Sequence, residues 1–259
     1  MAARRRTART TARTERLTLR IAHVRRRGRE DAALHRIKTP RFAQSSKSRP
    51  IQTLSALRPP MFIKPVNTES SVGISQAALA LDEKSALERV RFVHAHLGAD
   101  ALVEEYVDGR EIYCGVIGGE RLEALPLIEL LVGDLPIDAE DAPPGAPRFF
   151  TYKAKWDEAY RKKWNIRAGP PPDLDPALAK KVQTVARRAC RILRVRGYAR
   201  VDLRVTQDGE VHVIEVNPNP GLASDDEFAQ AALLGGTNYL TLIDRILDLG
   251  LRSRSAKGA

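Results

Sequence analysis

The chain has 259 residues, of which 43% are hydrophobic, and this is enough apolar material for one or two small cores. No apolar run approaches the ~20 residues that a membrane-spanning helix needs, so the sequence predicts a soluble protein without a membrane partner. The two cysteines, Cys114 and Cys190, have no paired spacing. This argues against a disulfide scaffold or a structural zinc site and indicates a reducing, cytoplasmic setting.

The net charge of +11 belongs to one end of the chain. Residues 1–60 hold 17 Lys and Arg against three Asp and Glu, whereas the remainder holds 26 basic and 29 acidic residues. The remainder therefore has no large electrostatic footprint for nucleic acid, and a nucleic-acid contact is expected only through residues 1–60.

Residues 1–60 carry few apolar side chains and many like charges, which predicts a basic, low-complexity, disordered segment. Three interpretations remain open: a basic arm that touches nucleic acid or anionic lipid, an Arg-rich targeting peptide, and a translated remnant upstream of a truncated gene. The third is favoured over the second because a targeting peptide should be followed by a complete enzyme.

From Met61 the pattern becomes that of a folded domain. Residues 61–65 predict a short strand that ends at a proline, and residues 67–75 predict a small polar loop. Apolar residues at three- or four-residue spacing predict a helix over residues 82–97. Three further strands are predicted over residues 101–107, 111–117 and 122–131.

Residues 132–172 predict a long loop that contains prolines and several aromatic residues, which is typical of a lid or a binding loop. After it the periodicity of the sequence predicts five segments in chain order. They are a helix over 174–195, strands over 197–206 and 211–217, and closing helices over 225–234 and 238–249.

The most informative segment is the pair of strands around Asp208-Gly209, a dipeptide that favours a two-residue type I′ turn. Such a turn places Asp202 opposite Glu215 and Arg200 opposite Asn217. Strand alternation puts these four side chains on one face, with opposed Cβ atoms about 4.5–5.5 Å apart. The other face is apolar and is expected to join the core through Val201, Leu203, Val205, Ile214 and Val216.

Two adjacent carboxylates repel each other unless a positive group neutralises them. Arg200 supplies part of this charge, but a hard cation supplies it better, because Asp202, Glu215 and Asn217 offer the oxygen ligands that suit Mg²⁺ bound with substrate phosphates. The alternative is a surface strand pair with ordinary charges. The run over residues 217–221, in which two prolines fix φ, favours the metal site.

Two weaker patterns accompany the hairpin. Lys64 lies at a strand end and is followed by Ser70 and Ser71, whose small side chains let backbone N–H and hydroxyl groups approach phosphate oxygens. Glu104 and Glu111 flank a strand and turn that can present backbone and carboxylate groups to a purine and its ribose. Taken alone, the first pattern is more typical of an ordinary turn, and the second is more typical of an edge strand with charged ends.

Taken together and in this order, these motifs resemble the D-alanine–D-alanine ligase branch of the ATP-grasp superfamily over residues 61–250. Four motifs carry the resemblance: Ile63-Lys64-Pro65 with Ser70-Ser71-Val72-Gly73, Val103-Glu104-Glu105-Tyr106-Val107 with Gly109 and Glu111, Tyr152-Lys153-Ala154-Lys155-Trp156, and Arg200-Val201-Asp202 with Glu215-Val216-Asn217-Pro218. The resemblance implies an α+β ATP-grasp fold, with two mixed or antiparallel sheets and helices on their outer faces. It also implies an ATP- and Mg²⁺-dependent carboxylate–amine ligase that acts through an acyl-phosphate.

The resemblance further implies which residues bind the nucleotide. Lys64 would contact the adenine and a phosphate, Glu104 and Val107 would hold the adenine, and Glu111 would hold the ribose. Ser70 and Ser71 would lie in the loop over the terminal phosphate.

Catalytic and metal-binding roles follow from the same resemblance. Arg200 would stabilise the oxyanion, and Lys155 would lie on the lid loop near the transferred phosphoryl group, with Ser70 as a third catalytic residue. The metal ligands for two Mg²⁺ or Mn²⁺ ions would be Asp202, Glu215 and Asn217.

The sequence also departs from the family. The family's N-terminal substrate domain has no counterpart, so residues 61–117 are expected to form a partial first subdomain and residues 118–254 the second subdomain with the metal site. Glu69 stands where glycine is usual. Asp226 falls where a serine usually binds the carboxylate of the second amino acid, so the amine substrate is not expected to be D-alanine.

The implied partners are small amino acid or peptide-like substrates, and a homodimer, common in the family, remains open. Two other functions are kept as alternatives. The first is a truncated, catalytically silent ATP-grasp fragment that still binds nucleotide. The second is a nucleic-acid-associated protein that acts through its basic arm.

Overall fold

The computed structural model describes residues 36–66, 73–136, 149 and 151–255. They divide into two compact units: the first holds residues 41–106, and the second holds residues 36–40 together with residues 107–255. Every pair of named strands in these residues is antiparallel, and helices pack on the sheet of each unit. The predicted α+β class with two sheets is therefore confirmed. No helix in the described part of the chain is long and apolar enough to cross a membrane.

The first unit is a four-stranded sheet in the order β1-β4-β2-β3 with one long helix. Its strands are β1 (Phe42–Ser45), β2 (Met61–Pro65), β3 (Leu79–Ala80) and β4 (Ala101–Glu105), and its helices are a short 3-10 helix (Gln76–Ala78) and α1 (Glu83–His96). Helix α1 begins at a capping box in which the Asp82 carboxylate accepts from the backbone N–H of Ser85. Its apolar face, including Val90 and Val93, packs with Ile63 and Val103 of the sheet.

The boundary predicted at Met61 is corrected by β1 and by the residues that follow it. Strand β1 pairs with β4 from Phe42↔Glu104 to Ser45↔Ala101, and Leu54 and Leu57 are buried in the core of the first unit. Composition averaged over residues 1–60 hides these apolar positions among many arginines, and strand pairing through backbone groups leaves no compositional signal. The predictions for residues 1–35 and for the loop at residues 67–72 lie outside the described residues.

The second unit is a six-stranded sheet in the order β10-β9-β5-β6-β7, with β8 also pairing with β6. Its strands are β5 (Arg110–Gly118), β6 (Leu122–Val132), β7 (Leu135–Pro136), β8 (Ile166–Gly169), β9 (Gly197–Val205) and β10 (Val211–Asn217). Its helices are α2 (Tyr152–Trp156), α3 (Glu158–Lys163), α4 (Pro176–Ile192), α5 (Glu227–Leu234) and α6 (Tyr239–Ser255). Because β5 pairs with β9, the division between units falls after Tyr106 and not at residue 117.

Helices pack on both faces of the sheet of the second unit. Helix α4 covers one face, where Val182 and Ala186 pack with Val201 and Leu203 of β9. Helices α5 and α6 cover part of the other face, where Phe228 packs in a cluster with residues of β5 and β6. Strand alternation therefore sends the odd residues of β9 into the α4 core and leaves its even residues on the opposite face.

The loop predicted over residues 132–172 is partly regular in the residues described. Helices α2 and α3 are capped at their N-termini by Thr151 and Asp157, whose side chains accept hydrogen bonds from the backbone N–H groups of Ala154 and Tyr160. Strand β8 then pairs with β6. Helices of five and six residues are too short to give a periodic signal, and this is why the sequence pattern indicated a loop.

The opposition predicted for the β9–β10 hairpin is confirmed, but the turn that produces it is different. Gly209 has φ +76° and closes a three-residue loop, in which its N–H donates to the carbonyl of Thr206. This loop alone would shift the register by one residue. A bulge at Ile214 compensates, so that Asp202 still pairs with Glu215 and Arg200 with Asn217. As a result Ile214 is only half-buried and the prediction that it joins the core face is wrong.

The turn between β5 and β6 gives a first testable prediction, because two neighbouring glycines differ in what a methyl group would meet. Gly118 has φ +144°, and a Cβ there would collide with the backbone carbonyl of Arg121, whereas a Cβ on Gly119 would have open space apart from Leu249. We expect Gly118→Ala to lower the free energy of unfolding by about 2 kcal/mol in urea titrations. The matched variant Gly119→Ala should change it by less than about 0.5 kcal/mol. Equal effects of the two variants would contradict the geometry of this turn.

Candidate catalytic and metal-binding site

The polar face of the second sheet is built by three adjacent strands. Arg200, Asp202 and Arg204 alternate with the core residues of β9 and point away from α4. The register of the sheet sets Asp202 between Glu215 of β10 and Tyr113 of β5. It also sets Arg204 beside Glu111 of β5, so that acidic and basic side chains meet on one surface.

Arg200 is at the centre of this surface and is held by two carboxylates. Its Nε lies 2.7 Å from Oδ1 of Asp202 and its Nη2 lies 3.0 Å from Oδ2, a two-pronged contact, while its Nη1 lies 2.9 Å from Oε2 of Glu227. The guanidinium carbon lies 4.7 Å from the centre of the Tyr113 ring. Burial by itself would lower the pKa of Arg200, but the charges of Asp202 and Glu227 hold that pKa well above its ordinary value, so the group stays a cation.

Glu111 is fixed from two sides. Its Oε1 accepts a hydrogen bond of 2.7 Å from the Tyr113 hydroxyl, and its Oε2 lies 2.8 Å from Nη2 of Arg204. Arg204 in turn donates through Nη1 to the carbonyl of Gly109 at 2.6 Å. Burial, together with the negative charges of Glu111 and Asp202, raises the pKa of Tyr113 well above its ordinary value, so its hydroxyl remains a donor to Glu111.

The polar surface carries more acidic than basic side chains. This excess of negative charge favours the binding of a cation. Burial raises the pKa of Asp202, Arg200 lowers it, and the negative charges of Glu215 and Glu111 raise it again. A cation beside Asp202 and Glu215 would relieve this repulsion. The amide oxygen of Asn217 accepts a 3.0 Å hydrogen bond from the backbone N–H of Asn219, which fixes its direction and leaves a second lone pair.

The predicted ligands fit a hard divalent cation of the kind that substrate phosphates also bind. In the described residues no three His, Cys, Asp or Glu side chains form a ready-made metal cage. Two carboxylates and one amide oxygen instead supply a partial set, and Mg²⁺ commonly completes such a set with phosphate oxygens and water. Both oxygens of Asp202 already accept from Arg200, but each carboxylate oxygen has capacity for a further partner.

The first unit brings together two of the predicted nucleotide ligands. Lys64 of β2 and Glu104 of β4 lie on the sheet face opposite α1, and Nζ of Lys64 is 2.9 Å from Oε2 of Glu104. Both side chains are buried, with 5% and 3% exposure. Val107 begins the second unit and is half-buried, whereas Ser70 and Ser71 lie outside the described residues.

Lys155 contacts other residues of its own helical segment. It lies on helix α2, not on an irregular loop, and its Nζ is 5.4 Å from the centre of the Trp156 ring. Its backbone carbonyl accepts from Arg161. The proximity to a transferred phosphoryl group that was expected for Lys155 therefore stays a prediction.

Three side chains of the site were missed by sequence reasoning: Tyr113, Arg204 and Glu227. Tyr113 follows Glu111 by two residues, so strand alternation places both on one face, and this signal was available. Arg204 similarly continues the series of Arg200 and Asp202. Glu227 gave no such signal, because its contact with Arg200 depends on how α5 packs.

Asp226, which stands where the family usually has a serine that binds the second amino acid, makes a hydrogen bond within its own loop. Its Oδ2 accepts a 2.8 Å hydrogen bond from the backbone N–H of Ala223. The space beside Gly221 is also filled by this carboxylate, which a Cβ on Gly221 would meet.

Two antiparallel sheets with this arrangement of acid, amide and guanidinium groups define an ATP-grasp protein. The chain belongs to the family described as D-ala D-ala ligase C-terminus, whose model matches residues 27–248. That match begins well before Met61, in agreement with the corrected boundary.

Relatives of known sequence and structure support this placement. The chain is 31% identical over 227 residues to an uncharacterized protein of Sinorhizobium fredii, covering 86% of this chain and 60% of that protein. It is 32% identical over 200 residues to the D-alanine–D-alanine ligase of Desulfotalea psychrophila, covering 77% and 56%. The chain thus spans about three fifths of the length of these curated relatives.

Comparison with solved structures shows the fold. The D-alanine–D-alanine ligase from Bacillus anthracis complexed with ATP superimposes with a TM-score of 0.70 at 22% identity, over 92% of this chain and 68% of that chain. The predicted ATP-grasp fold is therefore confirmed.

Proposed function

We propose that the chain is the metal-binding and catalytic part of an ATP- and Mg²⁺-dependent carboxylate–amine ligase that acts through an acyl-phosphate, of the D-alanine–D-alanine ligase type. One observation carries the proposal. Arg200 forms a bidentate ion pair with Asp202, and Asp202 lies directly opposite Glu215 across the β9–β10 hairpin. A fixed guanidinium, together with cations that the paired carboxylates would hold, can stabilise the negative charge that develops on a transferred phosphoryl or acyl group.

In the proposed reaction the polar residues of the second sheet bind metal, stabilise the oxyanion or bind the ribose. Asp202, Glu215 and Asn217 hold the two ions, and Mg²⁺, when bound, supplies neutralising charge for the phosphates of ATP. Arg200 has N–H groups beyond those given to Asp202 and Glu227, and these stabilise the oxyanion formed when an amine attacks the acyl-phosphate. Glu111 binds the ribose, and its bonds to Tyr113 and Arg204 hold it in place.

The remaining nucleotide contacts belong to the same proposal. Lys64, Glu104 and Val107 bind the adenine and a phosphate, and the ion pair between Lys64 and Glu104 orders both side chains for this purpose. Ser70, Ser71 and Lys155 act near the terminal phosphate.

The amine substrate is proposed to differ from D-alanine. Asp226 uses Oδ2 to hold its loop, and its charge disfavours a free carboxylate nearby while favouring an amine. The carboxylate and the amine are both drawn from small amino acids or peptide-like molecules.

A phosphate-release assay tests the proposed function. The purified chain is incubated with Mg·ATP and with pools of D-, L- and β-amino acids, and inorganic phosphate is measured against reactions that lack an amino acid. We expect release that requires both Mg²⁺ and an amino acid pool. Nucleotide binding with no amino-acid-dependent release in any pool would contradict ligase activity and would favour a catalytically silent nucleotide-binding protein.

A further inference from the structure

Glu227 is a half-buried acid outside the predicted metal ligands, and its place is fixed by the packing of α5. It stands in the first turn of α5, and its side chain is 14% exposed. The next residue, Phe228, is fully buried and meets the Tyr198 ring edge-on at 5.6 Å. Because Phe228 anchors the start of the helix, the Glu227 carboxylate has a defined position above the sheet.

The Glu227 carboxylate is one of the groups that orient the Arg200 guanidinium through hydrogen bonds. A guanidinium has five N–H groups. Asp202 takes one at Nε and one at Nη2, and Glu227 takes one at Nη1, so two remain. The guanidinium carbon also lies over the Tyr113 ring, 4.7 Å from its centre. Three elements, β9, β5 and α5, therefore fix a single orientation of the group.

Asp202 and Glu227, the two carboxylates that bind Arg200, differ in whether they are also proposed metal ligands. Asp202 is also a proposed metal ligand, and a carboxylate that shares its charge with a cation attracts a guanidinium less strongly. Glu227 is not a proposed metal ligand, so its hydrogen bond with Nη1 of Arg200 does not compete with cation binding. A second, independent anchor is useful at a group that must keep its orientation while a neighbouring acid binds metal.

We propose that Glu227 is a positioning residue that fixes the guanidinium of Arg200 so that its two remaining N–H donors keep one orientation for the developing oxyanion. The inference rests on the proposed function, in which Arg200 stabilises that oxyanion. Glu227 acts through Arg200 and does not itself touch the substrate.

Nuclear magnetic resonance of the arginine side chains tests this anchoring without requiring catalysis. In ¹⁵N-arginine-labelled full chain, the Arg200 signals are identified by their absence in Arg200→Lys, and rotation about the Nε–Cζ bond is measured by exchange of the two Nη groups. We expect Glu227→Gln to speed this rotation by about tenfold, since a charge-assisted hydrogen bond is lost. The control Asp225→Asn removes the same charge from an exposed acid two residues away and should leave the rate unchanged.

A second variant and a second readout complete the test. Glu227→Asp shortens the side chain but keeps its charge, and it should give an intermediate rate; it also serves if Glu227→Gln does not fold. In Glu227→Gln the affinity for Mg²⁺ with a non-hydrolysable ATP analogue should stay within about threefold, while amino-acid-dependent phosphate release falls about tenfold at saturating nucleotide. An unchanged rotation rate in both Glu227 variants overturns the inference. Failure of the wild-type chain to bind nucleotide overturns the proposed function instead. The rotation rate still reports whether Glu227 anchors Arg200, because its measurement does not need nucleotide.

Discussion

Glu215→Gln is expected to lower the Mg²⁺-dependent affinity for an ATP analogue by at least about a hundredfold. The reason is local: Glu215 lies opposite Asp202, and its negative charge is one of the causes that raise the pKa of Asp202. Removing that charge removes the attraction for a cation. It also removes repulsion between two acids, so the free energy of unfolding should change little or rise slightly.

Calorimetric titration with the analogue and urea unfolding measure these two effects on the same preparation. The matched control is Glu120→Gln, which makes the same change at an exposed glutamate in the turn between β5 and β6. Glu120→Gln should bind like the parent protein. If Glu215→Gln kept its Mg²⁺-dependent affinity, the assignment of Asp202, Glu215 and Asn217 as metal ligands would be wrong.

Arg200→Lys is expected to lower amino-acid-dependent phosphate release by about 10²–10³-fold. Lysine keeps the positive charge but loses the planar fork that meets Asp202 at both prongs and Glu227 at the third position. The developing oxyanion then loses a fixed donor. Because two half-buried acids also lose hydrogen bonds, the free energy of unfolding should fall by about 1–3 kcal/mol.

The affinity for the Mg·ATP analogue separates this effect from a loss of the metal site. It should change by less than about fivefold in Arg200→Lys, because the metal ligands remain and the positive charge is kept. Arg121→Lys, at an exposed arginine in the β5–β6 turn, is the control for the same substitution. Phosphate release that survives in Arg200→Lys would exclude Arg200 as the oxyanion-binding group.

Parts of the fold could be predicted because their signals are local. The helix expected over residues 82–97 is α1, since apolar spacing and the Asp82 cap act within one segment. Strand β1 was missed because it is held by backbone pairing with β4, a partner some 60 residues away in sequence. Helices α2 and α3 were missed because each spans less than two turns and is defined by its caps.

The site shows the same division between local and distant causes. The pairing of Asp202 with Glu215 follows from a hairpin, and the prediction was correct although a three-residue loop and a bulge at Ile214 replaced the expected turn. The two register shifts cancel, which no pattern in the sequence indicates. Glu227 reaches Arg200 only because α5 packs over the sheet, and contacts of this kind depend on the tertiary structure.

Calorimetric titration of the full chain with Mg²⁺ and a non-hydrolysable ATP analogue tests the central claim most directly. The claim is that the acid–amide–guanidinium surface of β9 and β10 binds nucleotide through divalent cations. The account predicts micromolar binding that disappears when EDTA removes the metal. Binding that is unaffected by EDTA, or no binding at any Mg²⁺ concentration, would contradict it.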